Sequence, residues 1–299
     1  MTRNKLRIGN MTFNTINYFI FGIFTLLCVF PFYYLFINTI SRNDLSASGY
    51  ITFYPKGIHF DNYLQVLKLK GLGQSLLISV SRTVLGTILT VGGSAFLGYL
   101  FTKKEMWGRK FWYRFIIVTM YFNAGLIPWY ITMKNLHLTN NFLAYILPGI
   151  ITPFNMILAK TFVESIPPSL EESAAIDGAG FIKIFWKIIF PLITPILATI
   201  AVFAAVGQWN AFIDTVFLMT DTRLYTLQFL LYRYLNESSS LAALIKSSQD
   251  LSSINMQNMQ TSTSVRMTVS MIVVLPILLV YPYFQRFFVK GIMIGAVKG

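Results

Sequence analysis

Ile166-Pro167-Pro168-Ser169-Leu170-Glu171-Glu172-Ser173-Ala174-Ala175-Ile176-Asp177-Gly178-Ala179-Gly180 is the stretch on which the fold turns. Ser169 is set as an N-cap, and Glu172 three residues later completes a capping box. Two acids in the first turn suit the positive end of a helix dipole. Gly178 and Gly180 then end the helix in a left-handed turn. Phe181-Ile182-Lys183-Ile184-Phe185-Trp186-Lys187 begins a second, aromatic helix, and Pro191 and Pro195 mark the start of an apolar run. The pattern predicts a short helix, a sharp bend and a second helix. Such a unit can project as a knob into a partner's groove.

The flanks decide where that unit sits. Of the 299 residues, 55% are hydrophobic and 12% charged. A soluble domain carries about 25% charged residues, so this chain has too little charge to coat a water-facing surface. Six segments are apolar enough to cross a bilayer, which takes about 20 residues each: 13–40, 75–101, 111–133, 141–163, 188–208 and 267–284. They are too long for strands and lack period-two alternation. The expected fold is an all-α membrane protein with six transmembrane helices. The basic N-terminus precedes an apolar run far longer than a signal peptide's core, so the first segment reads as an uncleaved span.

Lys and Arg set the expected orientation. With the N-terminus inside, 14 of the 24 bases fall in cytoplasmic segments, four of them (Lys103, Lys104, Arg109, Lys110) in one short loop. Cytoplasmic loops carry that excess, so both termini are expected inside. The divisions that follow are a cytoplasmic N-terminus (1–12), a first span (13–40), an external loop (41–70), a main domain (71–288) and a cytoplasmic tail (289–299). The main domain holds the cytoplasmic loop 164–187 and an external loop 209–266, in which 212–234 reads as an interfacial helix. The +13 net charge suits contact with anionic lipid before nucleic acid. Gly86, Thr90, Ser94 and Gly98 form a small-residue stripe at four-residue spacing, which lets another helix approach closely. Packing within the chain is the favoured use of it, ahead of a subunit interface.

Here the residues carry a resemblance. Glu172-Ser173-Ala174, then Gly178, then Ile188-Ile189-Phe190-Pro191 has the spacing of the "EAA" loop of binding-protein-dependent ABC importer permeases. Ser173 and Phe190 depart mildly from that pattern. The ending Gly291-Ile292-Met293-Ile294-Gly295-Ala296-Val297-Lys298-Gly299 resembles that of carbohydrate-type permeases, including the G-type subunit of the maltose importer. Trp209-Asn210 is similar to the same class, and the finer flavour resembles the LplC/YtcP-like subgroup. The resemblance implies a type I (MetI-like) core in a bacterial cell membrane. It implies coupling to an ABC ATPase dimer through Glu171, Glu172, Ser173, Ala174, Asp177, Gly178 and Pro191, with a tail contact at Gly295 and Lys298. It also implies a second homologous permease, an extracytoplasmic solute-binding protein and an oligosaccharide or polysaccharide cargo. ATP and Mg would be used by the partner ATPase, with no cofactor on this chain.

The chemistry of other classes is missing. There is no phosphate-binding Gly-x-x-x-x-Gly-Lys-Ser/Thr loop. Cys28 is the single cysteine, and His59 and His137 lie in different loops without ligand spacing. Glu171 and Glu172 are adjacent on a helix and point about 100° apart, so they do not flank one glycosidic bond. A substrate path is expected among Tyr121, Asn123, Asn155, Gln208, Trp209 and Asn210, because amides bond sugar hydroxyls and aromatic faces stack on their C–H surfaces. Boundary anchoring by the aromatics and helix–helix bonding by the amides compete with that role. A gradient-driven transporter would need buried acids within the spans. None of the 11 acids lies mid-span, and Arg82 and Arg114 are expected near span ends, where they can snorkel. A membrane enzyme and a non-transporting scaffold are the remaining alternatives.

Overall fold

The computed structural model describes residues 2–69, 71–236 and 261–296. The described residues are helical with connecting turns and contain no strand. Three helices are long and apolar enough to cross a membrane: Phe13–Thr39, Leu72–Leu100 and Ser262–Val280. Two further helix pairs are long and apolar enough only when taken together, and each is bent: Phe142–Gly149 with Pro153–Val163 at 45° and Phe181–Leu192 with Thr194–Asn210 at 80°, each a broken span or a re-entrant loop. The chain divides into two compact units, residues 1–69 with 233–274, and residues 70–232 with 275–299.

The first unit contains the Thr2–Thr39 helix, whose apolar side chains from Phe13 to Phe36 are largely exposed, as a lipid-facing helix requires. Its end is closed by buried amides and hydroxyls that satisfy one another. Asn43 and Asn62 exchange hydrogen bonds at 3.0 and 2.8 Å. Asn62 also donates to the Thr39 carbonyl, and Ser46 donates to Asn38. Buried polar groups without such partners would cost free energy, so the set fixes one arrangement of the 38–62 segment. The start of the Ser262–Ala296 helix is capped reciprocally by Thr261 and Ser264, at 3.0 Å each way.

In the second unit, the Leu72–Leu100 helix packs on Pro153–Val163 and Thr194–Asn210. The small-residue stripe makes this possible. A Cβ on Gly98 would stand 2.8 Å from Ala159 Cβ and from the Lys160 backbone nitrogen. One on Gly86 would stand 2.7 Å from the Gln208 amide nitrogen. Thr90 donates to the Gly149 carbonyl at 2.9 Å. The stripe therefore packs inside this chain. Ala95, Tyr99, Ala159, Phe185, Ile189, Ile193 and Ile200 form the adjoining core.

Several expected boundaries move. The 111–133 segment is two helices, Arg109–Tyr121 and Leu126–Asn135. Asn123 accepts a bond from the Gly125 N–H and Gly125 has φ +89°, so this turn ends the first helix. The 188–208 segment bends at Ile193, between Pro191 and Pro195, after a π-helical turn at Phe185–Ile189. Proline removes a helix N–H and crowds the preceding turn, and the Thr194 hydroxyl bonds the Pro191 carbonyl at 2.7 Å. The 212–234 segment is three short helical pieces, not one interfacial helix. Much of the expected 209–266 loop, residues 237–260, lies outside the described residues, as does Lys298.

Candidate functional site

The cytoplasmic-loop signature folds as a helix, a bend and a second helix. Ser169–Ile176 starts one residue earlier than the capping box requires. Pro168 already has helical φ and ψ (−57°, −29°), so Ser169 stands inside the first turn and caps nothing with its side chain. The Glu171 and Glu172 N–H groups bond the Pro168 carbonyl instead, at 3.0 Å. The far end keeps to expectation at Gly178, whose φ is +77°. The Ala179 N–H bonds the Ala174 carbonyl and the Gly178 N–H that of Ala175, the paired closure of a Schellman motif. Gly180 is extended (φ −72°) and takes no part in a left-handed turn.

One face of this unit grips the rest of the chain. Tyr99 is 1% exposed, with Phe181 and Phe185 at ring-centroid distances of 4.7 and 5.4 Å. The Lys103 ammonium lies 4.1 Å from the Tyr99 ring centroid and pairs with the Glu171 carboxylate. Burial pulls Lys103 below the ordinary lysine range, and the charge of Glu105 acts the other way. The opposite face is bare: Glu172, Ser173, Asp177 and Gly178 are exposed, Ala174 is half-buried, and Ile176 is 86% exposed; Pro191, further along the chain, is exposed as well. Glu171 and Glu172, grouped together by sequence, thus face different ways.

The second compact unit carries a cleft of about 590 Å³, with Arg82, Trp129, Asn155, Phe203, Gln208 and Asp214 in its walls. Arg82 is only 2% exposed. It does not snorkel; its two terminal nitrogens pair with Asp214 at 2.6 and 3.2 Å, and it also donates to the Ala211 carbonyl and to Gln208. Its guanidinium carbon lies 4.4 Å from the Tyr145 ring centroid. This cluster ties the Leu72–Leu100 helix to the segment after Asn210. Sequence reasoning missed Asp214 and Tyr145; the available signal was an arginine inside an apolar run.

The expected path residues separate. Asn155 and Gln208 share the cleft with Arg82. Asn123 lines a second cleft of about 530 Å³, whose walls also include Trp129, Thr152 and Phe154. Tyr121 is 83% exposed and lines neither. Trp209 lies against an apolar cavity with Val80, Val206 and Pro276. Asn210 bonds back to the Val206 carbonyl at 3.0 Å.

Residues 91–294 match the family described as binding-protein-dependent transport system inner membrane component. The chain belongs to this family. The permease is 33% identical to the polygalacturonan/rhamnogalacturonan transport system permease protein YtcP of Bacillus subtilis (strain 168), over 97% of this chain and 99% of that protein. It is also 33% identical to Protein LplC of the same organism, over 100% and 98%. Among solved structures it resembles a bacterial ABC transporter involved in the import of the acidic polysaccharide alginate. That likeness has a TM-score of 0.82 at 28% identity, covering 94% of this chain and 98% of that chain. The protein is therefore an all-helical, multi-pass membrane permease component of a binding-protein-dependent transport system.

Proposed function

We propose that the permease is one transmembrane subunit of an ATP-driven importer for oligosaccharides or polysaccharide fragments. The observation that carries this reading is the near full-length likeness to a permease protein named for polygalacturonan and rhamnogalacturonan transport. A solute-binding protein delivers the saccharide from outside. A second, homologous permease completes the pathway. An ABC ATPase dimer on separate chains uses ATP and Mg. The chain crosses the bacterial cell membrane six times with both termini in the cytoplasm, within the divisions drawn from the sequence, and has no role with nucleic acid.

The bare face of Ser169–Ile176 supports an ATPase-docking role for this loop. Glu172, Ser173 and Asp177 present polar groups beside Ile176, while Gly178 sets the bend. Glu171 and Pro191 act from behind that face, through Lys103 and through the break before Thr194–Asn210. Gly295 and Lys298 add a tail contact. When the ATPase dimer closes, it moves the loop, and the Tyr99–Phe181–Phe185 stack carries that movement into the Leu72–Leu100 helix.

Affinity purification of the tagged chain in mild detergent tests this. An ATPase with a phosphate-binding loop and a second six-span permease are expected to co-purify. Glu172→Lys reverses an exposed charge at the docking face and is expected to weaken ATPase recovery and uptake about tenfold, a change of about 1.4 kcal/mol. Membrane insertion should be retained. Recovery of the wild-type chain alone, stable and monodisperse, would overturn the importer reading.

A further inference from the structure

The cleft beside Arg82 holds polar groups that the fold does not use. Cavities of about 300–1,000 Å³ accommodate small-molecule ligands, and this one is about 590 Å³. Its charges cancel. Arg82 gives both terminal nitrogens to Asp214, one of them also to the Ala211 carbonyl, and its Nε to Gln208. Four of the five N–H groups of Arg82 are engaged in this way, and its charge is matched by Asp214.

Gln208 is oriented by that contact. An arginine Nε–H can only donate, so the amide oxygen of Gln208 faces Arg82, at 3.1 Å. Its NH2 group is turned away, over Gly86 and Gly149. A Cβ on either glycine would stand 2.7 or 3.2 Å from the amide nitrogen. Among the described residues this NH2 donates no hydrogen bond. Asn155 is a second case. It is 5% exposed, lines the same cleft, and makes no side-chain hydrogen bond among the described residues. A nearly buried amide facing an open cleft without a protein partner awaits a hydroxyl, a carbonyl or water. Trp129 and Phe203 supply aromatic surface in the same walls.

We infer that this cleft is a saccharide subsite of the permease itself, reading sugar hydroxyls through Gln208 and Asn155 and ring faces through Trp129 and Phe203. The charge-matched Arg82–Asp214 pair offers a carboxylate no net charge, so an acidic sugar is held here by its hydroxyls. The inference rests on the proposal that the chain moves oligosaccharides, and adds that this subunit touches the cargo.

The test uses the purified importer carrying this chain, reconstituted in liposomes with its binding protein. The probes are trigalacturonate and its fully methyl-esterified form. Gln208→Glu keeps the oxygen that Arg82 needs and exchanges the NH2 for an acceptor; Gln208→Leu and Asn155→Ala remove the amides. Loss of one hydrogen bond predicts an apparent KM for uptake about five- to tenfold higher in each variant. The loss should be expressed in KM, and Gln208→Leu should lose equally on the acid and the ester. Recovery of the ATPase at the wild-type ratio reports that each variant is folded. Wild-type kinetics in both Gln208→Glu and Asn155→Ala would overturn the subsite. A loss confined to the acid would overturn the hydroxyl assignment. Loss of ATPase recovery in all three variants would make the amides structural struts and overturn it too. If the wild-type importer takes up neither probe, the saccharide reading itself fails, and the subsite with it.

Discussion

Gly98 and Arg82 both lie on the Leu72–Leu100 helix, and the sequence discloses one better than the other. The four-residue spacing of Gly86, Thr90, Ser94 and Gly98 is a local pattern, so close approach can be read from it directly. At Gly98 the approaching groups are Ala159 and the Lys160 backbone, which cannot rotate away. Gly98→Val is therefore expected to destabilise the detergent-purified protein by about 1–3 kcal/mol, measured as a lower thermal midpoint. Gly92→Ala is the matched control, because nothing beyond its own stretch of helix backbone lies within 4 Å of its would-be Cβ. It should leave the midpoint unchanged or raise it slightly. Arg82 is different: its partner Asp214 is 132 residues away, and no local pattern reveals it. The same helix position looks like a snorkelling arginine until the tertiary fold is known. Arg82→Met leaves Asp214, whose side chain is 16% exposed, without its charge partner. The expected cost is about 3–5 kcal/mol in unfolding by denaturing detergent, with part of it recovered in Arg82→Met/Asp214→Leu.

At the scale of elements, the cytoplasmic loop was legible in outline and wrong in detail. The glycine at 178 announced the bend because only a left-handed residue permits the Schellman closure. The helix start was misplaced because a proline with helical φ at 168 can itself begin the turn, leaving Ser169 no capping position. The sequence also could not separate Glu171 from Glu172. They occupy adjacent positions, and only the placement of Lys103 decides which one faces inward. Their substitutions are expected to differ accordingly. Glu171→Lys sets two ammonium groups against each other beneath the loop. The pair is partly exposed and worth about 1 kcal/mol or less, so hydrogen exchange of residues 166–180 should quicken by up to about fivefold. Lys103→Glu in the same chain should restore it. Glu172→Lys, on the bare face, should leave that exchange rate unchanged while weakening ATPase recovery. Equal exchange in wild type and Glu171→Lys would remove Lys103 as the loop's anchor.

At the scale of the whole molecule, hydropathy disclosed the class and left the number of crossings open. Long uninterrupted runs gave Phe13–Thr39, Leu72–Leu100 and Ser262–Val280, while proline and glycine turns bend or break the others. The decisive segment is 109–135. Its helices have 13 and 10 residues, about 20 and 15 Å at 1.5 Å per residue. Laid end to end, with the extended turn between them, they would be long enough to cross a hydrocarbon core of about 30 Å. Arg114 is five residues from the start of the first helix, close enough to its basic end for the guanidinium to reach the interface. A six-span chain must therefore put Leu136 outside and Lys104 inside. Both positions can be tested in a Cys28→Ser background, since Cys28 is the only native cysteine. Leu136 is 60% exposed, so Leu136→Cys should react with a membrane-impermeant maleimide added to intact spheroplasts. Lys104→Cys and Ser169→Cys should react only after the membrane is opened. Ser48→Cys, in an exposed turn before the second span, should label from outside with Leu136→Cys. If Leu136→Cys labels only with Lys104→Cys, the 109–135 segment does not cross. The chain would then have five spans, and its termini would lie on opposite sides of the membrane. The tail could no longer share the cytoplasm with both the N-terminus and the Ser169–Ile176 helix.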